Sequence, residues 1–116
     1  MKRTTKISIS SLLAIGSLLS VAFFWRNNVL LTVMLIIISI TSLLVWKKKK
    51  YLILYLIAGM FGALAESFAI YYGAWTYSNP SMFNIPVWLP FLWGEASLFI
   101  VSLLFEIEEL KKQTTK

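Results

Sequence analysis

Apolar residues occur along this chain in four long blocks that are separated by short polar or basic connections. The blocks cover about residues 7–25, 29–46, 51–72 and 87–105. Each holds about 18 to 22 residues, close to the roughly 20 that an α-helix needs to cross a ~30 Å hydrocarbon core. Because lipid cannot hydrogen-bond to bare backbone groups, each block should be a helix. The pattern predicts an all-α integral membrane four-helix bundle that forms a single transmembrane domain over residues 1–116.

The positions of lysine and arginine predict how the bundle is oriented. If all four blocks cross the membrane, ten of the eleven basic residues fall on one side. These ten are Lys2, Arg3, Lys6, Lys47, Lys48, Lys49, Lys50, Lys111, Lys112 and Lys116, and Arg26 alone lies on the other side. The positive-inside rule then places both termini in the cytoplasm of a multi-pass cell-membrane protein. The first block also has the basic start of a signal peptide, but bulky residues follow it where a cleavage site needs small ones.

The amino-acid composition excludes several kinds of functional site. The chain has no cysteine and no histidine, and it also has no aspartate. Thiolate nucleophiles, disulfides and the common zinc and haem sites are therefore excluded, and we expect neither a metal nor a cofactor. The net charge of +6 sits at the ends of the blocks rather than on a basic face with interleaved aromatic residues. We therefore expect membrane lipid as a partner and no nucleic acid.

Two glutamates, Glu66 and Glu95, interrupt the third and fourth blocks. An ionisable group at membrane depth costs roughly 2.5–3.5 kcal/mol on insertion scales, so it usually faces the protein interior. The two blocks should be antiparallel neighbours, which gives the carboxyls similar depth and allows them to share one cavity. At least one would then stay neutral and serve as a proton donor. A pair that only hydrogen-bonds between helices, or two carboxyls on opposite sides of the fourth helix, are the alternatives.

The region from Gly59 to Trp93 contains most of the other candidate residues. Small residues recur at helical spacing beside Glu66, which predicts close approach of another helix. The connection at residues 73–86 is uncharged and rich in aromatic residues, and we expect it to form an outer loop that lines a pocket. An interfacial aromatic belt and a simple packing seam are the plainer interpretations. The candidate catalytic residues are Glu66, Glu95 and Tyr77, and the candidate substrate-binding residues are Trp75, Trp88, Trp93, Asn79, Gly62 and Gly73.

A longer motif in this region resembles a known family. The motif consists of Glu66, Gly73, Trp75, Tyr77, Ile85, Pro86, Leu89, Pro90 and Trp93. It resembles membrane-bound carotenoid-biosynthesis proteins, most closely the carotenoid hydratase family, whose members are longer and have more spans. The resemblance implies acid catalysis on an isoprenoid or carotenoid-like lipid. Glu66 would protonate an alkene, aromatic rings would stabilise the carbocation, and Glu95 would position water or remove a proton.

Two other functions fit the same residues. Small multidrug-type exporters are four-helix chains of similar length that use a membrane glutamate for proton-coupled transport, although their glutamate lies in the first helix. A non-catalytic accessory subunit of a membrane complex is the other alternative. Whichever function applies, we expect the protein to form a homo-oligomer or to be a subunit of a membrane complex.

Overall fold

The fold is a bundle of four α-helices. The computed structural model describes residues 1–114, and over that range the helices are α1 (Arg3–Phe24), α2 (Asn28–Val45), α3 (Lys49–Tyr71) and α4 (Leu89–Thr114). All four are long and apolar enough to cross a membrane, which confirms the predicted all-α helical bundle. The most extensive packing is between α3 and α4, followed by α1 against α2, and α4 also packs on α1 and α2. The fourth helix is therefore the element that joins the two hairpins.

The bundle has apolar residues on its outside and several polar residues inside. Large apolar side chains such as Leu12 and Phe61 are well exposed, whereas Ser17, Ser42 and Ser102 are buried. Small serines let helices approach closely, and their hydroxyls can hydrogen-bond within the helix or to a neighbouring one. Ser17, for example, donates to the carbonyl oxygen of Leu13 at 3.0 Å. This inside-out distribution is typical of a protein whose surface meets lipid.

The end of the bundle that carries Lys47–Lys50, called the basic end here, holds the start of α1, the end of α4 and the α2–α3 turn. Trp46 is buried there and donates its indole N–H to Ser10 of α1 at 2.6 Å. Arg3 forms an ion pair with Glu106, which fastens the start of α1 to the last part of α4. The opposite end, called the loop end, holds the α1–α2 turn and the long connection between α3 and α4.

The third helix ends in a Schellman motif at Gly73. The N–H of Gly73 donates to the carbonyl oxygen of Ile70 at 2.9 Å, and the N–H of Ala74 donates to that of Ala69 at 3.0 Å. Gly73 has φ +86°, a left-handed conformation that glycine adopts without the steric cost of a Cβ. Gly73 therefore terminates α3 and directs the chain into the loop.

The connection from residue 72 to residue 88 does not stay outside the bundle. After a tight turn in which Phe83 and Asn84 both have positive φ, the chain folds back so that Ile85, Pro86 and Trp88 are buried. We call residues 82–88 the re-entrant segment. Met82, Phe83 and Val87 of this segment remain exposed.

The fourth helix starts deep inside the bundle as a result. Where the sequence predicts a helix from about residue 87, α4 begins at Leu89, and Pro90 fits its first turn because a proline needs no N–H partner there. The Pro90 carbonyl lies against Gly59. Gly59 is 12 residues before Tyr71, so this crossing is about 18 Å from the end of α3 at about 1.5 Å per residue.

The close crossing can be tested by substituting Gly59 and, as a control, Gly16, which has free space around it. A Cβ at Gly59 would lie 2.7 Å from the Pro90 carbonyl oxygen, whereas a Cβ at Gly16 would meet nothing within 4 Å. We expect Gly59→Ala to destabilise the protein by about 1–3 kcal/mol through overpacking, and Gly16→Ala to be neutral or slightly stabilising. Thermal unfolding in detergent micelles, followed by circular dichroism, measures both. Equal midpoints for the two variants would contradict the close crossing.

Candidate functional site

The side chain of Glu66 lies between α3, the loop and α4. Tyr77 donates its hydroxyl hydrogen to Oε1 of Glu66, and Trp93 donates its indole N–H to Oε2. Glu66 itself is only partly buried. The structure therefore brings together three of the residues that the sequence singled out, and both carboxyl oxygens act as acceptors.

Gly62 makes this arrangement possible by leaving room for the Trp93 ring. A Cβ at Gly62 would lie 2.2 Å from a ring atom of Trp93. The indole therefore lies directly on the α3 backbone, one turn from Glu66. Gly62, a candidate substrate-binding residue, contacts Trp93 and so supports the group formed by Glu66, Tyr77 and Trp93, which is called the Glu66 cluster here. Gly73, a second candidate substrate-binding residue, caps α3.

Asn79 and Trp88 fasten the loop to the α1–α2 turn. The Asn79 amide donates to the carbonyl oxygens of Trp25 at 3.3 Å and Arg26 at 3.1 Å, and the Asn79 carbonyl accepts from Asn28 at 3.0 Å. The Trp88 indole, which is 4% exposed, donates to Oδ1 of Asn28 at 3.2 Å. These bonds hold the loop in place.

The same two residues also border a cavity at the loop end. Its volume is about 400 Å³, and Tyr77, Asn79 and Trp88 all line it. The Tyr77 ring packs edge-on against Trp88, with the ring centres 6.1 Å apart. Trp75 is 45% exposed and is not among the residues lining this cavity.

The surroundings of Tyr77 change the pKa of its hydroxyl. Burial raises the pKa of its hydroxyl well above the ordinary value of 10.0, and the hydrogen bond to Glu66 and the charge of Glu66 raise it further. Tyr77 therefore keeps its proton in the folded protein under all physiological conditions and acts as a donor to Glu66.

Glu95 has a different set of neighbours. It is 2% exposed, and its Oε1 accepts a hydrogen bond from Ser42 of α2 at 2.6 Å. Trp93 and Glu95 are two residues apart on α4, which places their side chains about 200° apart around the helix. The structure thus turns Glu95 towards α2 and α1 and turns Trp93 towards Glu66. The sequence missed Ser42 because serine spacing alone does not show which helix a hydroxyl will meet.

A second cavity lies on the side of the α3–α4 crossing, and its volume is about 380 Å³. Its walls are apolar and come from α3, the re-entrant segment and the start of α4. The lining residues are Tyr55, Leu56, Gly59, Met60, Ala63, Leu64, Met82, Phe83, Ile85, Pro86, Val87, Pro90 and Phe91. Ala63 is three residues before Glu66, so the cavity and the Glu66 cluster are on adjacent turns of α3. The sequence did not predict this cavity. The small residues of α3 and the prolines of the connection, which line it, were the features that could have indicated it.

Within residues 1–114, no group of three or more acidic, histidine or cysteine side chains is placed to hold a metal ion. Comparison of the chain with protein-family models, with curated proteins and with solved structures gave no match.

The Tyr77–Glu66 bond predicts a specific dependence of stability on pH. Tyr77 keeps its proton in the folded protein, whereas in the unfolded chain its hydroxyl ionises near pH 10.0. The contribution of Tyr77 to the free energy of unfolding is therefore fully present below pH 10.0 and is lost as the pH rises above that value. We expect Tyr77→Phe, which keeps the ring on Trp88, to cost about 1 kcal/mol at neutral pH. The difference in thermal midpoint between wild type and variant should shrink above about pH 10. A difference that stays constant to strongly alkaline pH would contradict the assignment.

Proposed function

We propose that this protein binds a hydrophobic lipid of the isoprenoid type, taken up sideways from the bilayer. The observation that carries the proposal is the apolar cavity between α3, the re-entrant segment and the start of α4. Its rim includes Met60, Leu64 and Phe83, all more than half exposed on the apolar surface. A ligand dissolved in lipid can therefore enter without crossing water.

The shape of the cavity suits one end of a long, apolar chain. A volume of about 380 Å³ is near the lower end of the range of about 300–1,000 Å³ found for small-molecule pockets. The end of a polyene or prenyl chain fits into such a space while the rest of the molecule lies in the bilayer. Pro86 and Pro90 stiffen the part of the wall that they form, since a proline ring fixes φ. The small side chain of Ala63, which also lines the cavity, leaves space inside it.

The Glu66 cluster supplies a polar group on the turn of α3 that follows Ala63 of this cavity, outside the cavity lining. Tyr77 and Trp93 hold the carboxyl in a fixed position through two hydrogen bonds. In the enzymatic form of the proposal, Glu66 in its protonated form gives its proton to a terminal double bond and the Trp93 ring stabilises the resulting cation. Water then adds to the cation, and the proton that it loses returns to the Glu66 carboxylate. The resemblance of this region to the carotenoid hydratase family supports the same chemistry.

The orientation in the membrane is part of the proposal. We infer that the basic end lies in the cytoplasm and that the loop end faces the opposite side of the cell membrane. The support is the asymmetry of charge, since Lys47–Lys50, the start of α1 and the last turns of α4 are at one end and Arg26 is at the other. The Glu66 cluster would then lie in the outer half of the bilayer.

Mass spectrometry of the lipids that copurify with the protein tests the proposal. Met60→Trp places a large ring at the rim of the cavity. Phe61→Trp is the matched control, because Phe61 is 66% exposed and does not line the cavity. We expect wild type and Phe61→Trp to carry an isoprenoid, and Met60→Trp to lose it by about fivefold or more, a change of about 1 kcal/mol in binding. Bulk phospholipid alone in all three samples would refute lipid recognition.

Glu66→Gln separates binding from catalysis in the same experiment. The amide keeps an acceptor for one donor but cannot transfer an acidic proton. If Glu66 is an acid catalyst, the variant should hold an unreacted precursor that differs in mass from the wild-type ligand. If the ligand has the same mass in both, Glu66 is a binding group only.

A further inference from the structure

The cavity at the loop end, called the loop-end cavity here, has walls of two chemical kinds. Part of the lining is aromatic and consists of Trp25, Tyr77 and Trp88. Another part has uncharged polar side chains and consists of Thr76, Ser78 and Asn79. The function proposed above depends on the apolar cavity at the α3–α4 crossing, so the loop-end cavity has no role in it.

The polar side chains of the loop-end cavity have unused hydrogen-bonding groups. Thr76 and Ser78 are exposed, and their hydroxyls have no hydrogen-bond partner within residues 1–114. The amide nitrogen of Asn79 donates to the α1–α2 turn, but its Oδ1 accepts no hydrogen bond from the same range. A hydroxyl both donates and accepts, and an amide oxygen accepts. The cavity therefore offers neutral donors and acceptors to a ligand.

The aromatic rings of Tyr77 and Trp88 offer carbon surface rather than further polar groups. The Tyr77 hydroxyl is donated to Glu66, and the Trp88 indole N–H is donated to Asn28 at 3.2 Å. Because both polar atoms are already used, what these two residues present to a ligand is ring carbon. Aromatic carbon packs well against the C–H groups of a ligand.

No charged side chain lines the loop-end cavity. The guanidinium of Arg26 lies 4.7 Å from the centre of the Trp25 ring, but Arg26 is not a lining residue. A charged ligand would lose its hydration here without gaining a counter-charge. A wholly apolar ligand would cover the free hydroxyls without bonding to them. The lining therefore suits an uncharged ligand that has both hydroxyl groups and C–H faces.

The walls of the loop-end cavity are held in place by the protein itself. Asn79 is bonded to the α1–α2 turn at 3.1 Å and 3.3 Å, and the Tyr77 ring packs edge-on against Trp88. A preformed pocket binds without the cost of ordering its walls. The volume of about 400 Å³ lies within the range of about 300–1,000 Å³ found for small-molecule pockets.

We propose that the loop-end cavity binds a neutral sugar. The sugar hydroxyls exchange hydrogen bonds with Thr76, Ser78 and Asn79, and a C–H face of the sugar ring lies against aromatic carbon. A free saccharide and the headgroup of a glycolipid share this chemistry. Either has a route to the cavity, because Thr76 and Ser78 are exposed at the loop end and Ala22 is an exposed lining residue on α1.

Saturation-transfer NMR on the full chain in phosphatidylcholine nanodiscs tests the site, since it detects ligand protons that contact the protein. The probes are methyl β-glucoside and methyl β-glucuronide, which has the same ring with a carboxylate. After subtraction of the signal from empty nanodiscs, we expect transfer to the ring C–H protons of the glucoside. Transfer to the glucuronide should be at least fivefold weaker, because no charged side chain lines the cavity.

A second preparation of nanodiscs, which contains glucosyl diacylglycerol, distinguishes the two sources of sugar. Loss of the glucoside signal in these nanodiscs would identify the glycolipid headgroup as the stronger ligand. An unchanged signal would identify the free saccharide.

Paired hydroxyl deletions test the polar contacts. Thr76→Val together with Ser78→Ala removes both free hydroxyls and should weaken glucoside binding about tenfold. Thr5→Val together with Ser8→Ala removes the same groups near the start of α1, at the basic end, and should leave binding unchanged. Equal binding by the two double variants would overturn the role of the loop hydroxyls.

A second matched pair locates the sugar. Ala22→Trp places a large ring in the loop-end cavity and should abolish saturation transfer, whereas Ala65→Trp makes the same change at an exposed residue outside the lining. Transfer that survives Ala22→Trp would overturn the location, and equal transfer to glucoside and glucuronide would overturn recognition of a neutral ligand. No transfer to the glucoside in nanodiscs without glycolipid would overturn sugar binding. None of these results bears on the isoprenoid test, whose variants are on α3.

Discussion

The structure depends on the close crossing of α3 and α4. At this crossing the Pro90 carbonyl lies against Gly59, and the Trp93 ring lies against Gly62. Two glycines one turn apart allow backbone and indole to approach where any side chain would prevent it. The start of α4 deep in the bundle, the position of the re-entrant segment and the hydrogen bond from Trp93 to Glu66 all follow from this contact.

Several polar side chains inside the bundle form hydrogen bonds with one another. In a lipid environment each buried donor or acceptor needs a partner from the protein itself. The Trp46 indole meets Ser10, the Tyr55 hydroxyl meets Ser39, and Glu95 Oε1 meets Ser42. Each of these bonds joins two different helices. They therefore fix the rotation of the helices, which apolar contacts with lipid or with one another leave free.

One helix separates the two glutamates. On α4, the face with Trp93 turns to α3 and Glu66, and the face with Glu95 turns to α2 and α1. The difference of two positions in sequence becomes opposite sides of the bundle because an α-helix turns about 100° per residue. The two glutamates therefore lie on different sides of α4, with Glu66 bonded to Trp93 and Glu95 bonded to Ser42 of α2.

Length and hydropathy are local properties, so the sequence by itself determined the four helices, their approximate limits and the all-α bundle. It also pointed to Glu66, because a costly glutamate beside small residues indicates an inward face, and to Tyr77 and Trp93 through the aromatic connection and the motif around it. Only the tertiary structure decided the re-entrant start of α4, the separation of Glu66 from Glu95 and the anchoring role of Asn79. These features depend on where helices cross and how each is rotated, and many crossings satisfy the same apolar pattern until specific glycines and hydrogen bonds select one.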